Sequence, residues 1–113
     1  MDAIRPIDCH LAQIRSGLNS SYSYLMFENE LASGLIDDFA EIRAMLSRCG
    51  NAIVSHKYYR EIRSGKLLLV AELDPAQAEH VKNRILNGKF SKRITVYFYR
   101  RDRRSNQHQA ERC

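Results

Sequence analysis

The chain has 113 residues, 44% of them apolar and 27% charged, with a net charge of +5; that is the size and composition of one ordinary globular domain. No apolar run reaches the ~18–20 residues that would cross a bilayer. The opening MDAIRPIDCHLAQIRS carries an acid at position 2 and no continuous apolar stretch, so no secretory signal is expected. Three scattered cysteines, Cys9, Cys49 and Cys113, form no disulfide framework and fit a reducing, cytoplasmic setting.

In chain order, Ile4, Ile7, Leu11, Ile14 and Leu18 recur at helical steps. They predict an amphipathic helix over 6–16 within an N-terminal segment 1–20, with Pro6 in its first turn. SYSYLMFE (21–28) alternates as a strand with Ser23, Leu25 and Phe27 on one side and Tyr22, Tyr24 and Met26 on the other. ASGLIDDFAEIRAMLSRCG then sets Leu35, Phe39, Ile42, Leu46 and Cys49 on one helical face, with Ser33 as cap and Gly50 as terminator. AIVSHKYYREI and KLLLVAEL flank RSG, a hairpin signal with Gly65 at the turn. In LDPAQAEHVKNRILNGK, Asp74 is the expected cap, Ala78, Val81 and Ile85 the buried stripe, and Gly88 the stop. RITVYFY closes the pattern with Ile94, Val96 and Phe98 inward and Thr95, Tyr97 and Tyr99 outward. Residues 102–113 are polar and aperiodic, so a disordered tail is expected there.

The order β-α-β-β-α-β over 21–101 predicts an α+β, ferredoxin-like sandwich: a four-stranded antiparallel sheet with two helices on one face. Right-handed crossovers put the first and third strands in the middle and the fourth beside the first. VAELDPAQAEHVKNRI (70–85) resembles the strand-to-helix passage of the small CRISPR-associated integrase subunit family, also ferredoxin-like, over sixteen residues. Where that family ends its first strand on an aspartate, this chain has Glu28, and the long second hairpin departs from the family pattern. No activity is carried over on a match of that length.

Charge is uneven. Residues 81–113 hold ten basic and two acidic side chains, a net of +8, while residues 1–80 hold eight and eleven, a net of −3. Such asymmetry points to a polyanionic partner, with a solubilising tail as the plainer alternative. Lys89, Lys92, Arg93, Arg100, Arg101, Arg103 and Arg104 are the candidate phosphate contacts. The sheet face away from the helices would present Tyr22, Tyr24, Met26, Tyr97 and Tyr99, together with Leu68, Val70 and Tyr58 or Tyr59. Aromatics so placed could stack bases beside those cations. The third strand, SGKLLLVAEL, offers no aromatic, and an apolar face of this kind also suits self-association, a protein partner or cover by the N-terminal helix.

Signals for catalysis are sparse. Histidines 10, 56, 80 and 108 and the cysteines lack the paired spacings of zinc sites. Adjacent Cys9 and His10 would diverge by about 100° on a helix, and Asp37/Asp38 reads as helix-terminus electrostatics. No phosphate-cradling glycine loop occurs, and no cofactor, metal or membrane partner is expected. The first reading is a small non-enzymatic nucleic-acid-binding protein, DNA or RNA, acting as a dimer. The second is a protein-interaction or inhibitor module engaging a protein or nucleoprotein through the sheet face. The third is a metal-dependent nuclease built on Glu28 and Glu30.

Overall fold

A computed structural model of the chain describes residues 4–7, 22–88, 93–101 and 108–112. Six strands, β1 (Ile4–Ile7), β2 (Ser23–Asn29), β3 (Ile53–Glu61), β4 (Leu67–Leu73), β5 (Ile94–Arg101) and β6 (His108–Arg112), form one sheet. Two α-helices are described, α1 (Ala40–Ser47) and α2 (Ala78–Leu86). The sheet order is β1-β3-β4-β2-β5-β6. All neighbours are antiparallel except β1 and β3, which run parallel from Ile4↔Tyr58 to Ile7↔Glu61. The central four strands and two helices are compatible with a ferredoxin-like arrangement.

The alternation of β2 and β5 places their side chains as the sequence implies. Leu25 and Phe27 from β2 and Ile94, Val96 and Phe98 from β5 join Phe39, Ile42 and Leu46, and Ala78, Val81 and Ile85, in the core between sheet and helices. Tyr58 belongs to this side too: its hydroxyl accepts a hydrogen bond from Arg43 Nη1 at 3.1 Å, and its ring meets Phe39. Gly65 takes φ +74 at the β3–β4 turn, a backbone state that costs glycine nothing. There Arg60 donates to Gly65 O at 2.8 Å and Gly34 O at 3.3 Å, tying the hairpin to the β2–α1 loop.

Five expectations change. Pro6 and Ile7, assigned by spacing to a helix, lie in β1, because parallel pairing to β3 satisfies their main chain; residues 8–16 fall outside the described residues. His108–Arg112 form β6 on the edge of β5 rather than a disordered tail; 102–107 and 113 lie outside the described residues. Leu35 is extended at φ −116, ψ 161 and 63% exposed, so it leaves the helical stripe, and a 3-10 turn over Ile36–Phe39 precedes α1. Asp38, not Ser33, accepts the Leu35 N–H there. Asp74 instead closes a turn ahead of α2, its Oδ1 accepting from Ala76 N at 3.1 Å.

The fifth change bears on function. The sheet face away from the helices is not open. Tyr24, Met26, Tyr59, Leu68, Val70 and Tyr99 form a second buried cluster, with Tyr97 packed against it. β2 and β4 are buried along their whole length on both faces. Alternation tells which face a residue occupies, not whether that face is covered.

Candidate nucleic-acid interface

β5 carries Tyr97, Tyr99, Arg100 and Arg101, with Arg93 just before its start, and its length separates the candidates. Between Arg93 and Arg101 the strand rises about 27 Å at ~3.4 Å per residue, so the two basic groups cannot form one site. Between them, on one face, sit Thr95, Tyr97 and Tyr99.

The tyrosines are a packing element. Tyr24 and Tyr99 are register partners with ring centroids 5.4 Å apart and are 1% and 2% exposed. Neither a base nor a partner's side chain reaches these rings in this conformation. Tyr22 and Tyr97 are half-buried at the margins. The stacking platform expected from the sequence is therefore reduced to those two edges.

The charged rim of this face is paired internally. Glu72 is buried and accepts from Ser55 Oγ at 3.0 Å, with Lys57 Nζ 3.8 Å away. Lys66 Nζ lies 3.8 Å from Glu28, and Glu30 Oε1 accepts from Thr95 Oγ at 2.9 Å. Each carboxylate of the Glu28/Glu30 pair is thus held by its own neighbour. Among the described residues no three metal-ligating side chains come together.

At the Arg93 end, the exposed side chain borders a recess of about 160 Å³ with Asn29, Leu31, Asp38 and Ile94. Asn29 is buried; its Nδ2 donates to Asp38 Oδ2 at 2.7 Å and its Oδ1 accepts from Leu31 N at 3.0 Å. Gly34 is required beside it, because a Cβ there would collide with the Asn29 carboxamide. The Leu35 N–H, then the Asn29 amide, and also the Arg93 cation hold the Asp38 carboxyl below its ordinary range. An anion approaching Arg93 therefore meets an ionised carboxylate as well. The sequence gives no direct sign of this network, since Asn29 and Asp38 are nine residues apart and meet only through the loop.

The other end differs. Pairing between β2 and β5 stops at Tyr24↔Tyr99, whereas β6 continues along β5 to Arg100↔Gln109 and Arg101↔His108. The last residues of β5 thus run on as a two-stranded ribbon beyond the β2 pairing. The connection, 102–107, reads DRRSNQ and holds Arg103 and Arg104; like Lys89 and Lys92, these lie outside the described residues. The register therefore sets Arg100 and Arg101 at one ribbon end. This juxtaposition was missed in the sequence, because HQAER has no apolar pattern to mark it as a strand.

Comparison with protein-family models, curated proteins and solved structures finds no match. No helix among the described residues is long and apolar enough to cross a membrane.

Proposed function

We propose that this ferredoxin-like domain is a non-enzymatic, cytoplasmic nucleic-acid-binding protein that grips the phosphate backbone with the basic end of the β5–β6 ribbon. One observation carries the reading: β6 pairs past the end of the β2 pairing and folds Arg100 and Arg101 back beside His108 and Gln109. A basic tail without that pairing would place the same charges nowhere in particular. Held at a ribbon end, they become a compact, multivalent cation for phosphates.

Lys89, Lys92 and Arg93 add to the field that attracts a polyanion, but the Asp38 carboxylate beside Arg93 limits their part in the grip. Phosphate contacts confer affinity without reading sequence. Four contacts give a slope of log affinity against log salt of about −3.6. Fluorescence anisotropy with a labelled duplex of ~20 base pairs, at about 50 and 200 mM salt, tests this. The expected outcome is a loss of roughly a hundredfold in affinity across that range. Absence of binding at the lower salt would refute the reading and leave the arginines as a solubilising end.

A further inference from the structure

We draw no further inference here: the strongest candidate, the second buried cluster of Tyr24, Met26, Tyr59, Leu68, Val70 and Tyr99 on the sheet face away from the helices, carries none because nothing among the described residues shows what covers it.

Discussion

The tyrosine face and the basic ribbon are neighbours on β5, yet they hold their residues on opposite terms. Tyr24 and Tyr99 sit in a second core with Met26, Leu68 and Val70, where every side chain is accounted for by packing. Immediately after Tyr99, the same strand leaves the β2 pairing and carries Arg100 and Arg101 on a ribbon shared only with β6. An aromatic beside a basic run in sequence suggests one composite site for stacking and charge. In three dimensions the aromatics are packed into a core, and Arg100 and Arg101 lie beyond the β2 pairing. The difference teaches that sheet register, rather than adjacency in sequence, decides which residues act together.

That division can be broken most sharply through the tyrosines. Tyr24→Ala or Tyr99→Ala removes a fully buried ring and should cost about 3–5 kcal/mol, seen in urea or thermal unfolding. If either variant kept its stability and lost only nucleic-acid affinity, the face would be a binding platform after all. Next in size is Gly34→Ala, whose new Cβ must displace the Asn29 carboxamide from Asp38. A loss of about 1–3 kcal/mol is expected in the same unfolding measurement, with duplex affinity of the folded protein unchanged.

Smaller effects sharpen the contrast between the two ends of β5. Arg93→Gln should weaken duplex binding by less than about threefold in anisotropy at 50 mM salt, as one cation beside an ionised carboxylate contributes little. The Asp38 carboxyl itself titrates lower in the folded chain than in the unfolded one. Its stabilising contribution is therefore present above the ordinary carboxylate pKa and is lost as pH falls through the lower folded value. Asp38→Asn should accordingly make unfolding below about pH 4 less steep in pH, read from thermal midpoints across an acid series.

Much of this fold was legible in the sequence. The alternation of SYSYLMFE and RITVYFY assigned each side chain of β2 and β5 to its face. The stripes Phe39–Ile42–Leu46 and Ala78–Val81–Ile85 marked both helices, and Gly65 marked the hairpin. What was hidden depends on partners distant in sequence. Ile4 and Ile7 satisfy a helical step equally well, and only pairing with Tyr58–Glu61 makes them a strand. HQAER lacks an apolar face because an edge strand can be held by main-chain hydrogen bonds to one neighbour. The candidate site was half legible: the arginines were visible as charge, while the pairing that sets Arg100 and Arg101 at a ribbon end depended on β6, and the burial of Tyr24 and Tyr99 depended on cover that alternation does not report.

The most direct measurement compares the native chain with a variant in which Arg100, Arg101, Arg103 and Arg104 are all changed to glutamine. Duplex affinity would be followed by anisotropy at about 50 mM salt and folding by thermal unfolding. The account predicts that affinity falls by roughly a hundredfold or more and that the salt slope drops by about 3.6. The midpoint of unfolding should stay close to that of the native chain. Undiminished binding by a folded variant would contradict the account, placing the grip elsewhere on the molecule and returning the ribbon arginines to a role in solubility.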